Sequence, residues 1–340
     1  GEVSASAYSG GISGKSYNCD ISNSYNSGKI SSQNNANGGI LGYTVSGYSV
    51  KNCYFLKDTA PMPYAENSGT GLEVKTENQL ADTAETLGSA FVKSDKFPVL
   101  AWEVNGADDI DTQTKPTPSV TPASTPKIEE KIPSYSSQGK WSDNVAETFD
   151  SGNGSKENPY VIKTASELAL LAKNVNEGES YKDVYFELNN NIDLTEKYWT
   201  SIGNAEDKAF SGHFNGNGYE VKLNTENQKV SGLFGYTANA EITLLGVDGL
   251  VSGEDIGGGI VGIARDTKIE NCYSNAAVVA DKYVGGLVGQ ILSGSKVINC
   301  YATGIVKAQK AGTLFGAFTN GVSAENLYYR IIGDKMPYGE

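Results

Sequence analysis

The second half of the chain carries, at a step of 27 residues, the strings Gly232-Leu-Phe-Gly235, Gly259-Ile-Val-Gly262, Gly286-Leu-Val-Gly289 and Thr313-Leu-Phe-Gly316. The first half repeats the pattern at a step of 28 residues, as Gly11-Ile-Ser-Gly14 and Gly39-Ile-Leu-Gly42. Self-similarity at a fixed period of this length is typical of a solenoid, in which each repeat forms one coil. The recurrence of these glycine strings therefore decides the class of fold.

A second motif keeps a fixed phase with the glycine strings. It reads Ile269-Glu-Asn-Cys-Tyr273, Val297-Ile-Asn-Cys-Tyr301 and Val50-Lys-Asn-Cys-Tyr54, with weaker copies at 21–25 and 324–328. The pieces between the motifs are short and β-prone, and they lack the 3.6-residue periodicity of helical repeats. We therefore predict an all-β chain, a parallel β-helix with about 27 residues per coil and a rise of about 4.8 Å per coil.

The overall composition supports this class and excludes several functions. The 340 residues include 40 Gly and 20 Tyr but only one His, which suits short strands and tight turns. A net charge of -13 without a basic cluster disfavours nucleic acid as a partner. The sequence has no run of 18 apolar residues, so it predicts no membrane span. Its first ten residues do not read as a signal peptide, so we expect mature protein or an excised fragment.

A Pro/Thr-rich stretch divides the chain. Residues 111–140 contain five prolines among Thr and Ser, namely Pro116, Pro118, Pro122, Pro126 and Pro133. Such a composition cannot bury a core and favours an extended spacer. We predict three parts: residues 1–110, the C-terminal part of a first β-helix; residues 111–140, a linker; and residues 141–340, the N-terminal cap and coils of a second β-helix.

Two capping boxes predict short helices at the ends of the coils. Thr76 with Gln79 predicts a helix near 77–87, and Thr164 with Glu167 predicts one near 165–176. The first follows its coils and the second precedes its own, so we expect two incomplete copies cut from a longer tandem array. The second copy then lacks what residues 65–104 supply to the first. Because open coil ends expose strand edges, pairing of these ends with another chain is a further hypothesis.

The repeated Asn and Cys residues are predicted to be structural. Asparagine tolerates a left-handed corner, and stacked amides can bond from coil to coil. We expect such a ladder at Asn23, Asn52, Asn271, Asn299 and Asn326. The cysteine position holds Ser or Leu in other copies, and no Cys-x-x-Cys spacing is present, so core packing is favoured over disulfides or metal binding for Cys53, Cys272 and Cys300.

The tyrosines that follow have two interpretations. If they face solvent, they form an aromatic stripe able to stack on sugar rings or a protein partner. If they face inward or lie flat over the corner, they only pack. The candidate ligand-binding residues are Tyr25, Tyr54, Tyr273, Tyr301 and Tyr328.

Catalytic and metal motifs are not supported by the sequence. The single histidine, His213, excludes His-Glu-x-x-His and lies in a turn-rich string, so a turn or packing role is favoured. The carboxylates Asp193, Glu196, Glu206 and Asp207 could serve a glycosidase only as a close pair, and solvated surface is favoured. Weak calcium binding is conceivable at Asp108, Asp109 and Asp111, although EF-hand spacing is absent. No other cofactor is predicted.

The phased motifs resemble the GLUG family of bacterial secreted and surface proteins. Gly286-Leu-Val-Gly289 with Asn299-Cys-Tyr-Ala-Thr-Gly304 is the closest copy, and Phe97-Pro-Val-Leu-Ala-Trp102 looks like the region that follows the coils in these proteins. Near the ends of the arrays the pattern departs at Ser13, Ser24, Thr313 and Leu327. The resemblance implies a right-handed β-helix, found in adhesin-like proteins and in non-catalytic regions of immunoglobulin A proteases.

From these observations we expect a non-catalytic, extracellular, surface-attached region. It would bind a glycan or a partner protein and adjoin neighbouring repeats of a longer chain. The alternatives are a β-helical polysaccharide lyase or glycosidase, and a carbohydrate-binding module of a larger secreted enzyme. Charged clusters on one face of consecutive coils would favour the enzyme, whereas a face of Asn, Ser, Thr and Tyr would favour binding.

Overall fold

The computed structural model describes residues 2–33, 36–45, 47–60, 71–94, 97–105 and 132–329. In residues 2–105 the elements are β1 (Glu2–Gly10), β2 (Ser13–Tyr17), β3 (Cys19–Asn26), β4 (Lys29–Ser32), β5 (Ala36–Gly38), β6 (Leu41–Val45), β7 (Ser49–Leu56), β8 (Leu72–Lys75), α1 (Glu77–Ala81), α2 (Ala84–Leu87), β9 (Phe91–Val92), β10 (Val99–Leu100) and α3 (Ala101–Asn105). We call this part the N-terminal segment.

Residues 132–329 form the C-terminal segment. It begins with a 3-10 turn (Trp141–Asp143), β11 (Tyr160–Ile162), α4 (Ala165–Glu177), β12 (Tyr185–Leu188), β13 (Ile192–Asp193), a 3-10 turn (Glu206–Lys208), β14 (His213–Asn215), β15 (Glu220–Asn224), β16 (Gln228–Ser231) and β17 (Phe234–Ala238). It continues with β18 (Glu241–Thr243), β19 (Gly246–Gly258), β20 (Val261–Arg265), β21 (Lys268–Glu270), β22 (Tyr273–Ser274), β23 (Ala277–Val279), β24 (Tyr283–Gly285), β25 (Val288–Ile291), β26 (Lys296–Ala302), β27 (Val306–Gly312), β28 (Phe315–Phe318) and β29 (Val322–Tyr329).

The strands stack in parallel from coil to coil, which confirms the predicted β-solenoid. Strand β21 lies between β18 and β26 in register, with Lys268 opposite Glu241 on one side and opposite Lys296 on the other. The strands that follow the glycine strings form a sheet of their own, in the order β17-β20-β25-β28-β2-β6. The 27-residue step in the sequence is thus one turn of the solenoid, and equivalent residues lie above one another.

Glycine is required at the turn that precedes several of the glycine strings. A Cβ atom on Gly285 would lie 2.1 Å from the carbonyl oxygen of Val288 and 2.3 Å from that of Leu314. Both obstacles are backbone atoms, which cannot rotate away as a side chain could. The same close approach recurs one coil above, where a Cβ on Gly312 would lie 2.0 Å from the carbonyl oxygen of Phe315. The glycines therefore allow successive coils to stack at the spacing of a sheet.

The core is a continuous column of aliphatic and aromatic side chains inside the coils. The middle residues of the glycine strings, Leu233, Ile260, Leu287, Leu314, Ile12 and Ile40, are fully buried at successive levels. Inward and outward residues alternate along the strands, as expected for a pleated strand with one face in the core. Burial of this column is the main favourable term in the stability of the fold.

The two segments join into one solenoid. Strands β27, β28 and β29 of the C-terminal segment pair in parallel with β1, β2 and β3 of the N-terminal segment. At this junction, which we call the seam, Val306 lies opposite Val3, and the backbone N–H of Leu314 donates to the carbonyl oxygen of Ile12 at 3.2 Å. The coil ends that the sequence leaves open for another chain therefore pair with each other within this chain.

The two predicted caps lie at opposite ends of this one solenoid, rather than on two separate copies. Thr164 and Glu167 form the expected capping box at the start of α4, and Gly178 ends the helix in a left-handed conformation. Thr76 and Gln79 likewise cap α1. The helix predicted near 77–87 is interrupted at 82–83 and forms two short helices, α1 and α2, whose Leu80 and Leu87 are buried.

Some predicted features lie outside the described residues. These are most of the Pro/Thr-rich linker and the aspartates at 108–111 proposed for calcium. Within the described ranges, no helix combines the length and apolar character needed to cross a bilayer.

Candidate binding surfaces

The repeated asparagines form a ladder at a left-handed corner. All five have positive φ, between 48° and 55°. The amide of Asn299 donates to Oδ1 of Asn271 at 3.0 Å, and the amide of Asn326 donates to Oδ1 of Asn299 at 2.8 Å. In the N-terminal segment the amide of Asn52 donates to Oδ1 of Asn23 at 3.1 Å. At the seam the amide of Asn23 donates to Glu325, so the ladder links the two segments.

We expect Asn299→Val to destabilise the protein by about 2–4 kcal/mol, because a β-branched residue is strained at positive φ and two side-chain hydrogen bonds are lost. Asn299→Gly is the matched control: it tolerates the same φ, so only the hydrogen bonds are lost, at about 1 kcal/mol. Urea unfolding followed by circular dichroism measures both. Equal destabilisation by valine and glycine would contradict the role assigned to the left-handed corner.

The cysteines lie inside the coils as free thiols. Cys53, Cys272 and Cys300 are completely buried, and Cys19 is almost completely buried. Burial raises the pKa of Cys53 to about 12. The backbone N–H of Cys272 donates to Sγ of Cys300 at 3.4 Å. These thiols are inaccessible to solvent, which suits packing rather than chemistry.

The tyrosine track beside the asparagines is largely covered by the C-terminal cap. Tyr25 and Tyr328 are fully buried, and Tyr54 is 6% exposed. They pack with the apolar residues of the cap, namely Leu80, Leu87, Phe91, Phe97 and Leu100. The Tyr25 hydroxyl donates to the carbonyl oxygen of Pro98, and the Tyr328 hydroxyl donates to Glu103 at 2.5 Å. The structure therefore removes these three residues from the predicted ligand-binding stripe.

The two remaining tyrosines of the track are half-buried. Tyr273 and Tyr301 stack at 5.2 Å between ring centroids, and the Trp102 ring covers Tyr301 at 5.9 Å. The Tyr273 hydroxyl donates to Glu220 at 3.0 Å. Burial, together with repulsion from Asp248, raises the pKa of Glu220. The track is thus mainly a packing surface. The repeat pattern does not encode the tertiary contacts that place the cap over it, so the sequence leaves both interpretations open.

His213 lies in a strand and belongs to a charged row on the outer face. It stacks on the Tyr185 ring at 4.1 Å, and its Nδ1 lies 3.0 Å from Oε2 of Glu241. Lys268 on the next coil bonds to both Glu241 and Glu270. Burial alone would raise the pKa of Glu241, but the hydrogen bonds from Lys268 and His213 outweigh it and lower that pKa. A carboxylate held ionised in this way cannot act as a general acid at neutral pH.

The other carboxylates named in the sequence do not form a shared site. Asp193 accepts hydrogen bonds from the backbone and hydroxyl of Thr195, and Glu196 pairs with Lys197. Glu206 pairs with Arg265, and Asp207 lies in the same 3-10 turn as Glu206. Across the described part of the chain, no group of three His, Cys, Asp or Glu side chains is arranged to hold a metal ion.

A different set of aromatic residues lies on the outside of the coils beside the glycine strings. We call this the tyrosine-lysine surface. It consists of six half-buried residues on adjoining coils: Tyr8, Lys15, Tyr17, Tyr43, Tyr283 and Lys310. Lys310 stands between Tyr283 and Tyr8 in one ladder, and Lys15 stands beside Tyr43 in the next.

The rings and ammonium groups of this surface are in contact. Tyr8 and Tyr43 stack with centroids 4.6 Å apart, which links the two ladders across the turn. Nζ of Lys310 lies 4.5 Å from the centroid of the Tyr283 ring and 3.2 Å from its hydroxyl. Nζ of Lys15 lies 4.8 Å from the centroid of Tyr17. The result is a connected aromatic platform with two cations on it.

Sequence reasoning missed this surface, although the repeat contains a signal for it. Tyr8, Tyr283 and Lys310 each precede the first residue of a glycine string by three positions, and Lys15 and Tyr43 directly follow the last glycine of one. These positions vary between copies, as Ile256, Ile263, Gln290 and Ala317 elsewhere, so they do not stand out as a motif. Variable outward positions at fixed phase are where a solenoid carries its ligand contacts.

Comparison with known proteins agrees with the coil pattern. Residues 280–307 match the family model of the GLUG motif. A protein of Evansella cellulosilytica, described as a Gly-rich membrane protein, is 36% identical over 112 residues, or 30% of this chain and 11% of that protein. The chain thus spans a small part of that relative.

A crystal structure of a Bacteroides ovatus protein, described as an immunoglobulin A1 protease, is also similar. It shares 23% identity, covers 53% of this chain and 70% of its own, and superposes with a TM-score of 0.38, so the likeness carries no functional argument. The family match covers one coil of the phased repeat, and in that coil the chain is similar to GLUG-motif proteins.

Proposed function

We propose that this chain is a non-catalytic binding region of a bacterial surface protein, and that it binds a glycan through the tyrosine-lysine surface. The observation that carries the proposal is the stacked pair Tyr8 and Tyr43 on adjacent coils, with Tyr17 on the coil of Tyr8 and Tyr283 two coils away. Aromatic faces of this kind stack on the apolar faces of sugar rings. Strands that pair from coil to coil hold the rings in place, so binding would cost little ordering entropy.

Attachment at the cell surface is part of the same proposal. GLUG repeats and the described name of the Evansella relative both support a protein presented at the bacterial envelope. The tyrosine-lysine surface runs along a rigid solenoid, which is suited to holding a ligand-binding site away from the cell. Because the chain covers 11% of that relative, the activity of the whole protein is a separate question.

Binding is favoured over catalysis by the state of the charged groups. The row that contains His213 and Glu241 is the arrangement on consecutive coils that would favour an enzyme. Its carboxylates are each paired with a lysine or the histidine, and the pKa of Glu241 is lowered. Carboxylates paired in this way provide neither the protonated general acid nor the desolvated nucleophile that a glycosidase needs.

A glycan array probed with the full chain, combined with a reducing-sugar assay on every saccharide that binds, tests the proposal. We expect retention of at least one class of saccharide and no release of reducing ends. Sugar release that a Glu241→Gln substitution abolishes would overturn the non-catalytic reading.

The double variant Tyr8→Ala/Tyr43→Ala should weaken binding to the retained saccharide by about tenfold or more, because both faces of the central platform are lost. Tyr236→Ala is the matched control. Tyr236 is half-exposed and occupies the same ladder position as Tyr43, but Ile263, Gln290, Ala317 and Lys15 separate the two. Isothermal titration calorimetry measures all three proteins. Unchanged affinity in the double variant would remove this surface as the binding site.

A further inference from the structure

The two lysines of the tyrosine-lysine surface have an unusual setting for this chain. Its formal net charge is -13, and elsewhere many lysines pair directly with carboxylates, as Lys268 and Lys282 do. Within the described residues, the contacts of Lys15 and Lys310 are instead tyrosine rings and a tyrosine hydroxyl. Both ammonium groups are therefore available to an external anion.

Neighbouring phenols favour the charged form of Lys15. Partial burial lowers the pKa of Lys15, but its hydrogen bond and charge interaction with Tyr17, followed by interactions with Tyr283 and Tyr8, leave that pKa raised. The same interactions place Lys15 within electrostatic range of both ladders of the surface. A lysine packed on aromatic rings loses little further freedom when an anion binds to it.

We propose that the tyrosine-lysine surface selects acidic saccharides, whose sugar rings stack on the tyrosines while a carboxylate or sulfate group pairs with Lys15 or Lys310. This inference rests on the proposed glycan-binding function and specifies its ligand class. The rings supply contact area that does not depend on charge, and the ammonium groups supply the preference for an anion.

The spacing of the surface favours a saccharide over an acidic peptide. Equivalent positions on adjacent coils are separated by about 4.8 Å, the strand spacing of a sheet. That rise is comparable to the length of one pyranose unit in a linear chain, so consecutive sugars can meet consecutive rungs. An extended peptide would place its side chains on alternating sides, so only every second acidic group would face the surface.

The surface is also built from both segments of the chain. Tyr283 and Lys310 lie on coils of the C-terminal segment, whereas Tyr8, Lys15 and Tyr43 lie on coils of the N-terminal segment. Lys310 and Tyr8 are direct neighbours across the seam. A saccharide that spans the surface would therefore contact both segments at once.

The test compares ligands that differ only in charge. Binding of the full chain to an oligomer of galacturonic acid, to its methyl ester, and to a sulfated and a desulfated galactose oligomer is measured by calorimetry at two salt concentrations. We expect the acid or the sulfated oligomer to bind about tenfold more tightly than its neutral counterpart, with the difference falling at high salt.

Lysine variants assign that difference to the surface. In Lys15→Gln/Lys310→Gln we expect the acidic and neutral oligomers to bind within about threefold of each other, with neutral binding retained. Lys307→Gln is the control, because Lys307 is exposed on the same strand as Lys310 but outside the surface. Circular dichroism confirms that each variant is folded.

Three other results would contradict the inference, and one of them would also contradict the proposed function. Equal affinity for charged and neutral oligomers in the unaltered chain would overturn the inference and leave the proposed glycan-binding function standing. Absence of binding to any saccharide would overturn both. An oligoglutamate peptide that binds as tightly as the acidic oligosaccharide, with the same loss in the double lysine variant, would overturn the inference in favour of a protein ligand.

Discussion

Replacing Gly285 by alanine will destabilise the solenoid by more than about 3 kcal/mol, at the upper end of the effects of single substitutions. The added methyl group would meet the carbonyl oxygens of Val288 and Leu314 at 2.1 and 2.3 Å, and the Cα of Phe315 at 2.7 Å. All three obstacles belong to the backbone, so both the turn of its own coil and the coil above must move. That coil is hydrogen-bonded to its own neighbours, and the displacement spreads to other ladders.

Gly218→Ala provides the matched comparison for this effect. No heavy atom lies within 4 Å of the position of its Cβ, and its φ is 80°, so only backbone strain of about 1 kcal/mol is expected. Denaturant unfolding of the two variants against the unaltered chain measures the difference. If Gly285→Ala were no more destabilising than Gly218→Ala, the close stacking of coils at the glycine strings would be contradicted.

Cutting the linker will leave the two segments bound to each other. The seam carries the same parallel pairing as any other boundary between coils, through β27 with β1, β28 with β2 and β29 with β3. The Tyr328 and Tyr25 rings stack across it at 5.2 Å, and Trp102 of the N-terminal segment donates to the carbonyl oxygen of Asn299. The covalent linker contributes effective concentration but none of these contacts.

A specific protease site introduced at residues 119–125 makes this prediction measurable. After complete cleavage, light scattering on a sizing column should show one particle with the mass of the whole chain. Ile12→Asp should release the two pieces after cleavage, because it places a carboxylate in the fully buried apolar column at the seam. Two separate particles from the cleaved but otherwise unaltered chain would show that the seam does not hold without the linker.

Local patterns in the sequence predicted the coils and the caps because their causes are local. The glycine strings recur since each coil repeats the same close backbone approach, and the capping boxes at Thr76 and Thr164 act within one helical turn. Asparagine at the left-handed corner follows from the backbone preference of a single residue. In each case the residues that determine the structure are adjacent in the sequence or one period apart.

The seam and the binding surface could not be predicted in the same way. Pairing of Tyr328 with Tyr25 joins residues some 300 positions apart, and it depends on matching coil ends rather than on a sequence motif. Burial of these tyrosines depends on how the cap folds over the flank of the coils. The tyrosine-lysine surface occupies positions that vary between copies, so a search for repeated residues passes over it.

The uniform register of the ladders has a consequence for how such chains can vary in length. Lys268 and Lys296 hold equivalent places in neighbouring coils. If recombination removes or adds one whole 27-residue repeat, the encoded protein therefore keeps matching corners, core residues and side-chain hydrogen bonds between coils. Only nearest-neighbour contacts change, and they change to contacts of the same kind. The number of coils can thus change by whole units, while each cap keeps the same contacts with the coil next to it.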